Sequence, residues 1–448
     1  MRVGIIGGGA AGLAAAWDLV KAGHQVVVFE RAPWLGGQVS TFTVGGTEVE
    51  RFYHHLFRGD NYFIDLIGEL GLGKDLLWVP STVGFFWDGK VYNFVTPFDL
   101  LRFKPVGLVD RIRLGLTSLY LRYESNWSKF EKVTARDWLI RWAGRRNYET
   151  VWGPLLRGKF GDLAEEVGMA WLWGKIHLRF ASRDRGMQKE VLGYLRGSFG
   201  RVYRALGDAI VARGGRIFTR AQVEQVVTAG GEARGIRLAG GSAAEWGIGE
   251  VTIPTSWEFD AVLATVPGWA FLRLVLEFPE SYARLIREIR YQAAVCLVLV
   301  LRERLSPVYW LNIADRSVPF VGVIEQTNLL PPEEYGGRHI VYISNYLARD
   351  HPLLKLSGPE LFEVYLPHLR RINPRFDPAW VEELHHHRED AAQPVITTNY
   401  RARIPPVRTP IRRLYLANTT QIYPEDRGQN YSVRLGYEAS RLIQQDLG

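Results

Sequence analysis

The glycine pattern near the N-terminus constrains the fold more than any other feature of the sequence. Residues 2–6 read "RVGII" and predict a short buried strand, and residues 7–12 then give G-x-G-x-x-G where a helix-like pattern begins. A second apolar stretch at 25–29 ends in Glu30. Strand, glycine turn, helix and second strand in this order predict a parallel βαβ unit of the Rossmann type.

Each residue of the glycine pattern has a physical task in binding a dinucleotide. Gly7 permits the tight turn, Gly9 lets the backbone approach a pyrophosphate, and Gly12 lets the helix pack closely on the strand. Ala10 and Ala11 begin the helix, whose N-terminal N–H groups attract phosphate. The pattern therefore predicts a dinucleotide site at the start of the chain.

The acid at the end of the second strand narrows the choice of dinucleotide. Glu30 is placed to accept hydrogen bonds from a ribose hydroxyl, and an acid at this point argues against a 2′-phosphate and hence against NADP. Glu30 and the adjacent Arg31 are candidate cofactor contacts.

Length, charge and hydrophobicity limit the number of domains and the kinds of partner that the chain can have. At 448 residues the chain exceeds a single hydrophobic core, so two domains are expected. The formal charge is +8, but no zinc-finger, basic-zipper or RNP-type pattern accompanies it, which argues against nucleic acid as a partner. No stretch approaches the roughly 18 apolar residues of a membrane-spanning helix. The expected location is cytoplasmic, with peripheral contact at the inner face of the membrane as an option.

The stretch after Glu30, "RAPWLGGQVSTF", resembles the flavin amine oxidase superfamily, which includes protoporphyrinogen oxidases, carotenoid desaturases and UDP-galactopyranose mutases. The resemblance implies FAD as the cofactor, with the backbone of Gly36 and Gly37 along its pyrophosphate and ribityl chain. Gln38 is implied as a further contact and stands where the superfamily usually has arginine.

Two later stretches match the superfamily in the same order along the chain. Residues 197–227 resemble the segment whose strand ends near the adenine, which implies a contact from Val223. "FDAVLATVPG", at 259–268, resembles the strand end that closes the nucleotide-binding sheet and implies a contact near Ala264. Ordinary βα packing is the alternative for each stretch taken alone.

The C-terminal stretch "LYLANTTQIYPEDRGQNYSVRLGYEAS" resembles the strand, loop and last helix that the superfamily directs at the flavin ring. The resemblance implies cofactor contacts from Gly428, Gln429 and Asn430, and a ribityl contact from Asp426. A helix N-terminus there would stabilise the negative charge of reduced flavin.

The fold class predicted from these pieces is α/β. A discontinuous Rossmann-type FAD-binding domain is expected over 1–75, 195–270 and 400–448. A mixed-sheet substrate domain with a helical cap is expected over 76–194 and 271–399, where "AAVCLVLVL", "VPFVGVIEQTN" and "RHIVYISNYL" predict strands.

Five residues are candidates for catalysis or substrate positioning. His54 and His55 follow the first flavin segment, and histidine titrates near neutral pH. Glu325, Asn328 and Tyr346 are polar residues at strand ends expected to face a cavity. Core histidines and ordinary strand-end polarity are the alternatives. The triplet at 385–387 is not expected to bind a metal, because adjacent histidines point in different directions.

Apolar residues recur at helical spacing in "LLRFKPVGLVDRIRLGLTSLYLRY", at Leu108, Ile112, Leu116, Leu119 and Tyr120. We interpret them as the buried face of a cap helix. The alternative is a helix lying on an anionic membrane surface, which the resemblance to protoporphyrinogen oxidases supports.

The function predicted is that of an FAD-dependent oxidoreductase that takes hydride from a bulky, largely apolar or amphipathic substrate. Protoporphyrinogen comes first, a polyprenoid or carotenoid second and an amine third. No second G-x-G-x-x-G follows a strand, so oxygen or a quinone is expected as external electron acceptor. The alternatives are a flavin-dependent isomerase like UDP-galactopyranose mutase and a non-catalytic flavin-binding protein.

Overall fold

Two seven-stranded sheets organise the residues that the computed structural model describes, which are 1–93, 97–181 and 190–448. The first sheet has, in spatial order, the strands Gly249–Thr252, Ser242–Glu245, Arg216–Thr219, Gln25–Phe29, Arg2–Ile6, Ala261–Ala264 and Leu414–Leu416. The second has Val381–Pro394, Tyr291–Leu301, His339–Leu347, Gly322–Glu325, Trp310–Ile313, Val83–Trp87 and Lys90–Asn93.

Smaller sheets and helices complete the described chain. The smaller sheets pair Val223–Ala229 with Glu232–Leu238 and Ser256–Glu258, Thr41–Val44 with Thr47–Glu50, and Leu76–Pro80 with Val191–Leu195. The α-helices are Ala10–Lys21, Asn61–Glu69, Pro97–Arg102, Leu108–Tyr123, Ala135–Trp142, Arg145–Asn147, Gly153–Phe160, Met169–Ala181, Gly200–Ala212, Gly268–Leu274, Glu280–Arg287, Gly358–Ile372 and Gln429–Leu447.

The last five strands of the first sheet in spatial order, from Arg216–Thr219 to Leu414–Leu416, are parallel. Its strands are continuous apolar runs because both of its faces are covered. Helices, including Ala10–Lys21, pack on one face, and the three-stranded sheet that contains Val223–Ala229 packs on the other. The first and last helices pack together closely at Gly436, where a Cβ would lie 2.4 Å from the carbonyl oxygen of Ala11. This packing brings the two ends of the sequence to one side of the sheet.

The second sheet is antiparallel except where Trp310–Ile313 pairs with Val83–Trp87. Its centre is Tyr291–Leu301, in which all eleven residues are buried. The stretches predicted as strands form Tyr291–Leu301, Gly322–Glu325 and His339–Leu347 of this sheet. The α/β class with a Rossmann-type sheet and a second, mixed sheet is thereby confirmed.

The strands of the two sheets come from different parts of the chain. The strands of the first sheet fall in 1–75, 195–270 and 400–448, and those of the second fall in 76–194 and 271–399. The helices between 97 and 181 form a separate apolar cluster that covers one side of the second sheet.

The helix Leu108–Tyr123 is oriented opposite to the prediction. The exposed fractions are 62% for Leu108, 51% for Ile112, 63% for Leu116, 43% for Leu119 and 48% for Tyr120. The side chains that this helix buries are Leu114, Thr117 and Leu121. The interpretation of the larger apolar stripe as a buried face is therefore wrong, because the helix packs on the cap through its other side.

In the parts of the chain that the structure describes, no helix is both long and apolar enough to cross a membrane.

Candidate functional site

A large cavity, named here the nucleotide cavity, lies at the carboxyl ends of the parallel strands and has a volume of about 720 Å³. Ligands of open α/β sheets bind at this edge. The predicted cofactor contacts that line it are Gly7, Gly9, Ala10, Ala11, Glu30, Arg31, Gly36, Gly37, Gln38, Val223, Gly428 and Gln429. The structure thus brings together residues that are more than 400 positions apart in sequence.

The glycines of the first turn differ in what surrounds them. Gly7 has φ +110°, a left-handed conformation that favours glycine. A Cβ on Gly12 would lie 2.0 Å from the carbonyl oxygen of Gly7, so this glycine allows helix and strand to pack. A Cβ on Gly9 would find its nearest described neighbour, the Cα of Gly37, at 3.9 Å. Gly9 therefore opens onto the cavity, as a cradle for a pyrophosphate requires.

A second glycine turn closes over the first. The Gly36 N–H donates to the carbonyl oxygen of Gly8 at 2.9 Å, and Gly36 and Gly37 have φ of +98° and +57°. A Cβ on Gly37 would lie 3.2 Å from the Cα of Gly9. Two backbones without side chains therefore form one wall of the cavity, and this wall fits a phosphate chain.

Glu30 is held with its carboxylate at the cavity. Its two oxygens accept hydrogen bonds from the Gly8 N–H at 2.8 Å and the Ala32 N–H at 2.7 Å. Each carboxylate oxygen has further lone pairs, so the group can still accept from a ribose hydroxyl. These contacts fit the ribose role that the sequence predicts.

Four predicted cofactor contacts lie elsewhere. Gly12 packs against the turn, as described above. Ala264 is buried within its strand, where its carbonyl oxygen accepts from the Ala417 N–H at 2.9 Å, and the next residues, 265–267, line the cavity instead. Asp426 and Asn430 face a second cavity. The Asn430 side-chain oxygen accepts from the Phe63 N–H at 3.2 Å.

The last helix begins at the edge of the nucleotide cavity. Gly428 precedes it with an extended φ of −177°, and no described atom lies within 4 Å of where its Cβ would be. The first turn, "QNYS", contains no acidic residue. The partial positive charge of this helix end is therefore not neutralised within its first turn, and it can stabilise a negative charge in the nucleotide cavity. The side-chain oxygen of Gln429 accepts from the Tyr203 hydroxyl at 2.9 Å.

The second cavity, named here the aromatic cavity, has a volume of about 280 Å³. Much of its wall is apolar and includes Trp152, Trp171, Leu172, Ile176, Trp310 and Ile313. The two cavities share the lining residues Gln38, His54, Glu389, Arg427, Gly428 and Gln429. A group held in the nucleotide cavity can therefore meet a group held in the aromatic cavity at these residues.

His54 lies where the two cavities meet. Its Nδ1 is 2.6 Å from the carbonyl oxygen of Phe52, so Nδ1 carries the proton and Nε2 is an acceptor. Burial lowers the pKa of His54 to about 4, which keeps the ring neutral at physiological pH. His55 lines only the aromatic cavity, with Nδ1 3.1 Å from the Tyr309 hydroxyl, and burial lowers its pKa well below the usual range.

Tyr346 also lines the aromatic cavity, and its hydroxyl accepts from the Arg427 guanidinium at 3.0 Å. A second Arg427 nitrogen donates to the side-chain oxygen of Gln393 at 3.2 Å. These bonds fix both Arg427 and Tyr346 at the boundary between the cavities. Arg427 follows Asp426 in the loop before the last helix, but no motif in the sequence marks it as a site residue.

Glu325 and Asn328 are not brought to either cavity. The buried Glu325 carboxylate accepts from the N–H groups of Leu305 and Ser306, at 3.3 Å and 2.5 Å. The Asn328 amide donates to the carbonyl oxygens of Ser306 and Val308 at 2.8 Å and 2.9 Å. Both side chains hold the loop before Trp310–Ile313, and this end of their strand lies away from the cavities.

A buried charge cluster occupies one part of the aromatic cavity wall. Asp426 is only 4% exposed, and its carboxylate accepts from Lys159, from Lys175 at 2.8 Å and from the Trp171 indole at 3.3 Å. Burial acts to raise the pKa of Asp426, but the charges of Lys159, Lys175 and Arg427 outweigh it and lower the pKa. Burial lowers the pKa of Lys159 to about 7.

The histidine triplet belongs to the strand Val381–Pro394, away from this cluster. His385 Nε2 is 2.9 Å from the Glu383 carboxylate, while Nδ1 of His387 is 3.4 Å from the Arg51 guanidinium. Among residues 1–93, 97–181 and 190–448 there is no group of three His, Cys, Asp or Glu side chains that could hold a metal ion.

Curated proteins are similar to this chain over about half of its length. A zeta-carotene desaturase from Synechocystis sp. is 25% identical over 252 residues, which are 51% of this chain and 51% of that protein. The chain spans about half the length of the curated relatives it matches.

Solved structures share the fold across nearly the whole chain. A protein from Exiguobacterium sp., assigned provisionally as a protoporphyrinogen oxidase, has a TM-score of 0.75 at 15% identity over 99% of this chain and 98% of its own. Reduced UDP-galactopyranose mutase has a TM-score of 0.73 at 15% identity over 99% and 94%. Identities this low show the fold alone.

The family model of flavin containing amine oxidoreductases matches residues 10–425. This match covers most of the chain and confirms the resemblance read from the glycine motifs. The chain therefore belongs to the family of flavin containing amine oxidoreductases.

Proposed function

We propose that the protein is an FAD-dependent oxidoreductase that removes hydride from a bulky, largely apolar substrate. The observation that carries the proposal is the meeting of two cavities at His54, Arg427 and Gly428. One cavity is lined by glycine backbone and Glu30, as a dinucleotide requires, and the other is lined by aromatic side chains.

FAD, when bound, would supply the hydride acceptor, and this chemistry belongs to the cofactor. The residues of the nucleotide cavity would hold it, with Gly9 and Gly37 beside the pyrophosphate and Glu30 at the ribose. The start of the last helix at Gly428 would stabilise negative charge on the ring.

The other residues of the site bind, orient and exclude water. The indole and aliphatic side chains of the aromatic cavity keep water from the reacting carbon. His54 is neutral, and its Nε2 is an acceptor at the boundary of the cavities, so it can orient a substrate donor or accept a proton. Arg427 keeps Tyr346 in place at the same boundary.

The proposed substrate classes are ordered by how well each suits the positive charges at the aromatic cavity. Protoporphyrinogen comes first, because it combines a large apolar framework with acidic side chains. A polyprenoid or carotenoid comes second, supported by the zeta-carotene desaturase relative. An amine comes third, since Lys159, Lys175, Arg179 and Arg427 would repel its ammonium form.

The test is the visible absorption spectrum of the purified protein during anaerobic addition of protoporphyrinogen, a carotene precursor and a set of amines. One of them should bleach the flavin, and admission of oxygen or a quinone should restore the colour. Chromatography of the released cofactor should give FAD. Protein that cannot take up FAD would overturn the proposal.

An isomerase of the UDP-galactopyranose mutase type is the second candidate, favoured by the fold shared with that enzyme and by the cations at the aromatic cavity. Such an enzyme needs prior reduction of its flavin and turns over without an electron acceptor. Dithionite-reduced protein that converts UDP-galactopyranose under nitrogen would support this candidate. Turnover that requires an acceptor would exclude it.

We further propose that the protein docks on an anionic membrane surface through the helix Leu108–Tyr123. Apolar residues form one exposed face of this helix: Leu108, Val109, Ile112, Leu116, Leu119, Tyr120 and Tyr123, with exposed fractions from 43% to 78%. Between positions 97 and 146 the chain has eleven Lys or Arg and five Asp or Glu. An apolar face in basic surroundings is the pattern of interfacial helices that bind anionic lipid.

Flotation with vesicles tests the membrane proposal. Phosphatidylglycerol vesicles should bind the protein more strongly than phosphatidylcholine vesicles, and Leu108→Ser with Leu116→Ser should abolish binding. Leu276→Ser is the matched control, because Leu276 is 80% exposed and lies outside this helix. Equal flotation of the double variant and the control would contradict the proposal.

A further inference from the structure

We propose that Lys159, Lys175 and Arg179 form an anion subsite in the aromatic cavity, which binds a carboxylate or phosphate group of an otherwise apolar substrate. The inference rests on the proposed function, because it takes the aromatic cavity as the substrate site. It adds the requirement that the substrate be amphipathic and anionic.

The first observation is an excess of positive charge on one acid. Lys159 lies on the helix Gly153–Phe160 and Lys175 on the helix Met169–Ala181, and both ammonium groups bond the same oxygen of Asp426. The other oxygen of that carboxylate accepts from the Trp171 indole. One carboxylate cannot neutralise two ammonium groups, so the cluster keeps a positive charge at the cavity wall.

The second observation is an arginine one helical turn further on. Arg179 follows Lys175 by four residues, which places both on one face of the helix. Its Nε is buried and has no hydrogen-bond partner within the described chain, and its nearest acid, Glu190, is 3.8 Å away. A buried N–H without an acceptor is costly, and an anion in the cavity would provide one.

The remaining charged groups that line the cavity have partners. The Asp60 carboxylate accepts from the Phe57 N–H at 2.8 Å, and Glu389 accepts from the Ala391 N–H at 2.9 Å. Arg427 bonds Tyr346, as described above. Both carboxylates keep their negative charge, so the lining holds three carboxylates, Asp60, Glu389 and Asp426, against four cations, Lys159, Lys175, Arg179 and Arg427. One positive charge of the lining is therefore left over.

The rest of the wall excludes a fully hydrophilic ligand. Trp152, Trp171, Leu172 and Ile176 line the same cavity and would contact an apolar body. Positive charge is costly beside such side chains unless an anion compensates it. An anionic group joined to an apolar framework satisfies both parts of the wall at once.

The experiment measures dissociation constants of naphthalene probes on the flavin-loaded protein, from changes in the flavin absorption spectrum. The probes are 2-naphthylacetate, 2-naphthyl phosphate, 2-naphthylethanol and 2-naphthylethylamine, with inorganic phosphate as a fifth. A charged hydrogen bond changes affinity about tenfold or more, so at least one anionic probe should bind at least tenfold tighter than the alcohol. Comparison of the dissociation constants of 2-naphthylacetate and 2-naphthyl phosphate shows whether the subsite prefers a carboxylate or a phosphate.

Variants test whether the preference for anionic probes comes from the subsite residues. Lys175→Met and Arg179→Met should each reduce the preference for the anionic probe over the alcohol by about tenfold, and Lys175→Arg should restore most of it. Asp426→Asn should act in the opposite direction, because it removes the competing carboxylate. Lys355→Met is the matched control, since Lys355 is exposed and lines neither cavity.

The outcomes separate this inference from the proposed function. If the protein binds FAD and a neutral substrate bleaches it, while the naphthalene probes show no preference for the anion, the subsite is refuted and the oxidoreductase stands. Tighter binding of the ammonium probe, or inorganic phosphate as the only anion bound, would also refute it. A protein that binds no flavin refutes the proposed function instead.

Discussion

Replacement of Gly9 by valine should weaken flavin binding without unfolding the protein. Gly9 has φ −83° and ψ −176°, an extended conformation that valine readily adopts. A Cβ there would lie 3.9 Å from the Cα of Gly37, an ordinary van der Waals distance. The added carbons therefore enter the nucleotide cavity and not the packed interior.

The structure sets the size of both effects of Gly9→Val, the cost to folding and the loss of affinity for FAD. Gly9 is the N-cap of the first helix, where glycine is preferred to valine, so the folding cost is about 1 kcal/mol. Atoms inserted where a ligand packs cost about 1–3 kcal/mol, a factor of roughly five to 150 in the dissociation constant of FAD. Gly9→Ala adds one carbon and should fall between the wild-type protein and Gly9→Val.

The assay compares the flavin-to-protein ratio and the unfolding temperature of the purified variants. Gly9→Val should be folded and should carry less flavin than the wild-type protein, with a dissociation constant for FAD raised about five- to 150-fold. Gly12→Ala should instead unfold at a lower temperature, because its Cβ would lie 2.0 Å from the carbonyl oxygen of Gly7. Gly68→Val is the control, since no described atom lies within 4 Å of that Cβ position and Gly68 lines neither cavity. A Gly9→Val protein with normal affinity for FAD would refute the assignment of the pyrophosphate to this turn.

Two further predictions concern buried charges. Glu325→Ala should lower the free energy of unfolding by about 2–4 kcal/mol, because two N–H groups lose their acceptor, while the flavin content should not change; a flavin loss without destabilisation would contradict this. Burial lowers the pKa of Lys159 to about 7, with Asp426 opposing the shift and Lys175 and Arg427 adding to it. Lys159 therefore loses its charge as the pH rises through 7, and the affinity for the tighter anionic naphthalene probe should fall several-fold between pH 6 and 9. Lys159→Met should flatten that profile, and an unchanged profile in the variant would refute the role of this lysine.

The sequence predicts the nucleotide side of the site because its chemistry is encoded locally. Residues 7–12 and 36–37 are glycine turns whose positions relative to strands are visible within thirty-seven residues. Glu30 follows from the same spacing. The structure adds that the second turn closes on the first, through the Gly36 N–H and the carbonyl oxygen of Gly8.

The charge cluster of the aromatic cavity could not be predicted in this way. Lys159, Lys175 and Asp426 come from two helices and a distant loop, and their hydrogen bonds span 251 and 267 positions in sequence. No local pattern distinguishes these lysines from the exposed ones. Glu325 shows the converse error, because a polar residue at a strand end was expected at a cavity and instead accepts two backbone N–H groups of a loop.

The helix Leu108–Tyr123 shows why periodicity alone cannot settle burial. Its exposed stripe, with Leu108, Ile112 and Leu116, is more apolar than the side that packs on the cap, which includes Leu114 and Thr117. A hydrophobic stripe indicates that burial of its side chains away from water is favourable, but it does not indicate whether protein or lipid covers them. The cap covers the other face and leaves the stripe exposed, and the proposed anionic membrane surface would cover it.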